Sequence, residues 1–288
     1  MPAEEKWVKA TILTIAGSDS SGGAGVQGDL KAIAANGGYG ASVVTAITAQ
    51  NTRGILEAEG VRSGLVRAQM EAAFTDLHVV SVKSGMLFSR EIIASVAEGL
   101  RAYKPPHYVC DPVMTSGRGF ALLPQECVGT LSRELLPLAT LVTPNAEEAE
   151  VLAGIAVKSA EQAEEAGRKI LKLGAAAVLV TGGHLEEKSA TDVLVTPEGS
   201  RTFVAPRLNA PHTHGTGCTY SAAIATHLGR GLALADAIGR AKEFITGAIR
   251  GGHAVGGGTG PTDPFFFLRS REGSSWIDRL RREEATSS

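Results

Sequence analysis

Short apolar runs that stop abruptly at glycine, proline or a small polar residue, with helical patterns between them, constrain this chain more than any other feature. Residues 11–15 lead into Ala16-Gly17, 42–48 towards Gln50-Asn51, 79–82 into Lys83-Ser84-Gly85-Met86, 107–110 into Asp111-Pro112, 141–143 into Pro144-Asn145 and 178–181 into Gly182-Gly183. Runs this short with abrupt stops read as strands. The apolar spacing between them predicts helices over 26–35, 63–77, 91–100, 127–135, 146–152, 161–173 and 234–249. In the second of these Leu65, Met70, Ala73 and Leu77 share one face. Residues 192–196 and 202–204, separated by Pro197-Glu198-Gly199, predict a hairpin. Strands alternating with helices specify an α/β fold with a mostly parallel sheet covered on both faces.

In such a sheet, ligands sit beyond the carboxyl ends of the strands. Gly17, Gln50, Met86, Asp111, Asn145, Gly182 and Gly217 all fall at or beyond predicted strand ends, so one edge gathers the polar and glycine positions. The chain has 288 residues, 43% hydrophobic and 20% charged, which suits a globular domain and not a disordered one. One domain over 11–270 is expected, with an N-terminal extension (1–10) and a polar tail (271–288). A formal charge of −2 gives no basic footprint for nucleic acid, so any anionic ligand must be held by local donors. Residues 1–9 carry Glu4, Glu5, Lys6 and Lys9 and lack the apolar core of a signal peptide. No stretch reaches the roughly 18 apolar residues of a membrane span. Cys110, Cys127 and Cys218 form no C-x-x-C pair, which points to a reducing compartment and a cytoplasmic protein.

The segment His214-Gly215-Thr216-Gly217-Cys218-Thr219 runs into an Ala-rich helical pattern in which Ile224 and Leu228 lie four apart. A glycine turn feeding a helix aims unpaired N–H groups and the positive end of the helix dipole at one point, which suits a phosphate. An ordinary glycine-rich helix start is the alternative. Two other glycine patterns fail. Gly17-x-x-x-x-Gly22 follows a strand, but Gly23 stands where a P-loop needs lysine. Gly23-x-Gly25-x-x-Gly28 matches the dinucleotide fingerprint without its tight strand-to-helix turn, and the next strand ends in Gln50-Asn51 with no acid for a ribose.

The ordered set of motifs resembles the hydroxymethylpyrimidine/phosphomethylpyrimidine kinases of thiamine biosynthesis, in the ribokinase-like superfamily. The matching stretches are Ile15 to Asp19, Ser21 to Asp29, Thr45 to Thr52, Lys83 to Leu87, Asp111 to Met114, Thr143-Pro144-Asn145-x-x-Glu148-Ala149, Gly182-Gly183-His184 and His214 to Cys218. They cover the chain from about Thr11 to Phe267. The resemblance implies a three-layer α/β/α sandwich that phosphorylates 4-amino-5-hydroxymethyl-2-methylpyrimidine to its monophosphate and then its diphosphate, with ATP and Mg²⁺. Relatives are commonly homodimers, so a dimer is expected. Pyridoxal or pyridoxine kinases on the same fold are the near alternative, and a pyrimidine-binding relative without catalysis is the other.

By this resemblance Asp29 and Gln50 hydrogen-bond the pyrimidine, and Gly17, Met86 and Val113 line its pocket. A solvated carboxylate near a helix N-terminus is the bland reading of Asp29. Gly215, Thr216, Gly217 and Cys218 form an anion hole for the migrating phosphoryl group. Cys218, at a helix N-terminus, is expected to have a lowered thiol pKa and to act as base; the alternative is a small residue fitted for space. Asn145, Thr181 and Gly183 face the nucleotide, while Asp111 and Glu148 organise the metal. For Glu148 the alternative is an exposed helical charge beside Glu147. Thr181 replaces the lysine many relatives place before Gly-Gly-His, and Ser20, where proline is common, is expected to loosen its loop. Cys110 and His214 are expected to be structural.

Overall fold

The computed structural model describes residues 10–117, 119–184 and 189–268. Nearly all of the expected N-terminal extension and the whole of the expected polar tail lie outside the described residues. The chain runs β1 (Thr11–Asp19), α1 (Gly25–Ala35), β2 (Tyr39–Asn51), β3 (Gly54–Gly60), α2 (Ser63–Asp76), β4 (Val79–Ser84), α3 (Arg90–Tyr103) and β5 (His107–Cys110). It continues through α4 (Gln125–Glu134), β6 (Leu141–Val142), α5 (Ala146–Ala153), α6 (Ala160–Leu171), β7 (Val178–Val180), β8 (Ser189–Thr196), β9 (Gly199–Pro206), α7 (Thr216–Gly229) and α8 (Leu234–Arg250).

The strands form one sheet in the order β3-β2-β1-β4-β5-β6-β7-β8-β9. The stretch from β2 to β7 is parallel, with an antiparallel strand at one edge and an antiparallel pair at the other. Side chains alternate across it as the two-residue strand period demands. Ile12, Val109, Leu141, Leu179 and Leu194 face α1, α7 and α8. Their neighbours Leu13, Tyr108, Val142, Val178 and Val193 face α2 to α6. Both faces of the central strands are buried, so their sequences are mostly apolar instead of alternating, with Thr14, Ser81 and Lys83 as buried exceptions. Three layers result: helices, sheet, helices.

Helix ends follow local chemistry. Ser89 and Ser159 cap α3 and α6 by accepting from N–H groups three residues on. Asn145 and Glu148 close a full capping box on α5, each side chain bonding the other's backbone N–H. Two expectations need correction. Leu65 is 47% exposed while Val66 is buried, so α2 turns Val66 and Met70 inward. The strand β3 went unread because an edge strand solvated on both sides, with Glu57 and Glu59 exposed, carries no apolar alternation.

The connectivity places the site. After β1 the chain adds β2 on one side, returns through α2, and lays β4 on the other side of β1. The strand order reverses there, which opens a crevice beyond the carboxyl ends of β1 and β4. Gly17 and Ser84-Gly85 stand at its mouth.

Candidate active site

A single carboxylate builds the first wall. Asp19, buried at the end of β1, accepts from Ser21 N and Ser21 Oγ through Oδ1 at 2.8 and 2.7 Å. Its Oδ2 accepts from Gly23 N and Ala24 N at 3.1 and 2.9 Å and lies 2.8 Å from His214 Nε2. Burial would raise this carboxyl, but His214, Ser21 and the Ala24 N–H outweigh it and hold it at about 2. One side chain thus folds the first glycine loop and fastens it to the residue preceding Gly215.

The second wall is the hinge before α7. Gly215 has φ +80°, and a Cβ there would lie 1.9 Å from Gly23 O, so the two glycine loops are in backbone contact. Of the four amides expected in the anion hole, Thr216's is already given to Thr213 O at 3.2 Å. Gly217 is exposed with open space around it. Cys218 meets the N–H of Gly25 at the start of α1 and lies within electrostatic reach of Lys83, Asp29 and Asp111. The expected lowering of its pKa is overturned. Burial pushes the thiol up to about 12; Lys83 and the Gly25 N–H pull it down, but Asp29 and Asp111 add to the rise.

Under the crevice lies a charge cluster with almost no exposure. Lys83 is fully buried, its Nζ 3.0 Å from both Asp29 oxygens and 3.6 Å from Asp111 Oδ2. Thr14 Oγ1 donates to Asp29, and Ser221 Oγ to Asp111 at 3.0 Å. Burial works against the Lys83 ammonium, but Asp29 and Asp111 outweigh it and its pKa rises. Burial also raises both aspartyl carboxyls, opposed by Lys83. The structure therefore departs from both readings of Asp29. It is neither solvated nor open to a ligand, because it is 0% exposed with both oxygens committed. Asp29 is a buried counter-ion, and Lys83, to which the sequence reading gave no role, is its partner.

The remaining expected residues separate into two neighbourhoods. On the acceptor side, Gly17 packs on Met86, whose sulfur would lie 2.8 Å from an added Cβ. Thr45 Oγ1 donates to Met86 O, and Val113, half-buried, follows Asp111. Gln50 is half-buried, with Nε2 3.3 Å from His214 Nε2. Ser20 does not loosen this loop: its hydroxyl donates to Gln50 O at 2.7 Å and accepts from Gln50 N at 2.8 Å.

On the other side, Asn145 bridges Thr181, whose N–H donates to Pro144 O at 2.9 Å. Glu148 is 5% exposed, not a solvated charge; it accepts from Asn145 N and, through its other oxygen, from Met114 N. Burial and Asp111 raise its carboxyl to about 8. Gly182 N donates to Asp192, which also takes bonds from Tyr220 OH on α7 and Lys242 Nζ on α8. Gly183 is exposed, with nothing to obstruct a ligand. Ser221 and Tyr220 on the first turns of α7 thus tie Asp111 and the Gly182 loop to the hinge. Lys83, Asp19 and Asp192 carried one available signal: each is a charge inside or bordering an otherwise largely apolar strand, where burial requires a partner.

Comparison with known proteins agrees with this layout. A family model described as phosphomethylpyrimidine kinase matches residues 19–263. The hydroxymethylpyrimidine/phosphomethylpyrimidine kinase of Rhizobium meliloti is 48% identical over 89% of this chain and 97% of its own length. The thiamine biosynthesis bifunctional protein ThiED of Geobacter sulfurreducens is 47% identical over 88% of this chain, which spans about half, 52%, of that longer protein. Among solved structures, Bacillus subtilis pyridoxal kinase bound to ADP is 37% identical with a TM-score of 0.84, over 91% of this chain and 99% of that one. The phosphomethylpyrimidine kinase of Clostridium difficile is 43% identical with a TM-score of 0.75, over 84% of this chain and 100% of that one. With the family model spanning both glycine loops and the buried cluster between them, the chain belongs to the phosphomethylpyrimidine kinase family.

Proposed function

We propose that this chain moves the γ-phosphoryl group of ATP onto the hydroxymethyl oxygen of 4-amino-5-hydroxymethyl-2-methylpyrimidine, and then phosphorylates the monophosphate to the diphosphate. One observation carries the reading: the hinge at Gly215 touches the first glycine loop at Gly23, so an alcohol held against Gln50 and Met86 lies beside the phosphate-binding turn. Phosphoryl transfer passes through a loose transition state, so positioning and charge stabilisation dominate. The hinge amides and the N-terminus of α7 supply fixed donors to the equatorial oxygens. Cys218, neutral at physiological pH, forms part of the floor beneath them. As the new P–O bond forms, the bond from the γ-phosphorus to the bridging oxygen breaks, ADP leaves with that electron pair, and the alcohol proton passes to an oxygen of the transferred phosphoryl group.

The donor set on the nucleotide side fits Mg²⁺. Asp111 and Glu148 are hard oxygen donors, and their mutual repulsion at burial is relieved by added positive charge. Among the described residues no three acidic, histidine or cysteine side chains gather for a metal, which suits an ion that keeps waters and phosphate oxygens as its other ligands. Mg²⁺ would supply charge neutralisation at the phosphates. Asn145, Thr181 and Gly183 would face the nucleotide, Thr181 with a hydroxyl in place of a cation. We further propose one kinase domain over residues 11–270, active as a cytoplasmic homodimer; light scattering giving the mass of one chain would reject the dimer.

The deciding experiment follows mono- and diphosphate products with time under saturating ATP and Mg²⁺. Successive appearance of both is expected; pyrimidine binding without ADP formation would leave only a binding protein. The pyridoxal alternative is motivated by the solved neighbour, but the family model and the relatives at 42–48% identity carry the pyrimidine name. A higher kcat/KM on pyridoxal would reverse the assignment.

A further inference from the structure

The Gln50 side chain stands in a conflict of hydrogen-bond donors. Its Nε2 lies 3.3 Å from His214 Nε2, and its Oε1 lies 3.2 Å from Thr48 Oγ1. His214 Nε2 also lies 2.8 Å from Asp19 Oδ2. An ionised carboxylate only accepts, so this nitrogen must carry a hydrogen. Two N–H groups would then face one another. On the opposite side Thr48 has a single hydroxyl hydrogen, and Ser18 O takes it at 2.8 Å. That leaves Gln50 Oε1 against an oxygen with nothing to donate.

Turning the amide by 180° about Cγ–Cδ removes both conflicts. Oε1 then shares the single His214 Nε2 hydrogen with Asp19 Oδ2, a bifurcated bond in place of two opposed N–H groups, and Nε2 donates to a free lone pair on Thr48 Oγ1. Amide oxygen and nitrogen are nearly isosteric, so the hydrogen bonds available decide the orientation. The backbone of Gln50 cannot turn to undo this, because Ser20 Oγ bonds both its N–H and its carbonyl.

We propose that Asp19, His214 and Thr48 are positioning residues that lock the Gln50 amide with Oε1 on the hinge side, and thereby set which way round the heterocycle binds. The inference rests on the proposed function. A glutamine amide pairs with an aminopyrimidine edge through two parallel bonds, oxygen to the exocyclic amine and N–H to the ring nitrogen. In the proposed substrate the 4-amino group is adjacent to C5, which bears the hydroxymethyl group. His214 immediately precedes Gly215. An amine drawn to Oε1 on that side therefore carries the hydroxymethyl group towards the hinge. The inverted amide would seat the ring turned over, with its alcohol directed away from the phosphoryl group. All four positions of the locked amide are used: His214 and the amine on oxygen, Thr48 and the ring nitrogen on N–H.

The test compares the 4-amino substrate with its 4-oxo analogue, in which the carbonyl accepts and the ring N–H donates, reversing the pattern. Both kcat/KM and the dissociation constant by calorimetry are measured for the parent chain, His214→Phe and Thr48→Val. A site built to bond a specific donor and acceptor rejects the wrong pattern by ~10³-fold or more. The parent is expected to show that preference, and each variant to reduce it at least ~10-fold, the worth of one hydrogen bond lost. For the 4-amino substrate, KM is expected to rise by more than kcat falls. A preference ratio unchanged in both variants, in turnover and in binding, overturns the lock while leaving the kinase assignment standing. A parent chain that phosphorylates neither compound overturns the assignment and the lock together. Thr48→Val lies outside the hinge and preserves shape, so its binding ratio decides the matter if His214→Phe disturbs Gly215.

Discussion

The thiol of Cys218 offers the sharpest test of how the site's charges are arranged. Its place on the first turn of α7 invites the expectation of a lowered pKa, since a helix N-terminus favours an anion by ~0.3–2 kcal/mol. Burial acts in the other direction and carries the thiol from 9.0 to about 12, helped by Asp29 and Asp111. Three units correspond to about 4 kcal/mol, so the dipole is outweighed. At pH 7.5 the thiolate is then ~1,000-fold rarer than for a thiol of ordinary pKa. A more basic thiolate is also the better nucleophile, which with a Brønsted slope of ~0.45 returns about 20-fold. Alkylation of Cys218 by iodoacetamide should therefore run roughly 50-fold slower than that of an unstructured cysteine peptide. Peptide-resolved mass spectrometry over a pH series measures it without interference from the buried Cys110 and Cys127. An inflection between pH 6 and 9, or a rate equal to the free peptide's, would refute the burial argument and restore Cys218 as a candidate base.

Four further perturbations probe the frame. Lys83→Met strands two buried carboxylates and should cost ~3–5 kcal/mol in urea unfolding, with much of the loss recovered in the double variant with Asp29→Asn; a cost below ~1 kcal/mol would mean the cluster is not paired as described. His227 has both ring nitrogens buried without a partner among the described residues, and burial holds it neutral to about pH 3. The unfolded chain protonates near 6.5, so its contribution is lost as pH falls below that value, by ~2.7 kcal/mol at pH 4.5, and a His227→Leu variant whose stability keeps a constant offset from the parent across that range contradicts this. Gly215→Ala forces a side chain into a left-handed backbone against Gly23 O and should cut kcat/KM for the pyrimidine at least ~100-fold, as misplacement by an ångström does. Gly64→Ala, which meets open space in α2, should instead raise stability by ~0.5–1 kcal/mol.

The elements that the sequence made legible are those with two buried faces or one strong apolar stripe. Strands β4 to β7 and helices α3, α6 and α8 follow from short apolar runs and from spacing. The edge strand β3 was not legible, because solvent on both sides erases the pattern that burial imposes. The glycine hinge was readable from its local sequence as a turn into a helix, with an anion site and an ordinary helix start both left open. What no local pattern could supply was pairing over long separations. Lys83 and Asp29 are 54 residues apart, and Asp19 and His214 are 195 apart. A buried charge announces that it needs a partner, but only the fold names which one. For the same reason Asp29 was read as a ligand-facing acid when it is a counter-ion, and Ser20 as a loosening residue when it stitches the backbone of Gln50.

These pairings divide the site into supports with separate tasks. Lys83 is committed to Asp29 and Asp111 below the crevice, and Lys242 to Asp192 behind the Gly182 loop, so neither buried lysine is free to meet a phosphate. With Thr181 in place of a cation, the proposed function assigns the balancing of the nucleotide's charge to fixed amides and to an ion that Asp111 and Glu148 would hold. On the same proposal, discrimination among acceptors falls to the neutral amide of Gln50. The two tasks meet at His214, whose ring touches Gln50 and Asp19 while its backbone leads into Gly215. A change at this one residue is therefore expected to alter both which alcohol is chosen and how fast it is phosphorylated. A change at Thr48, which does not lead into the hinge, should alter the choice and KM more than kcat.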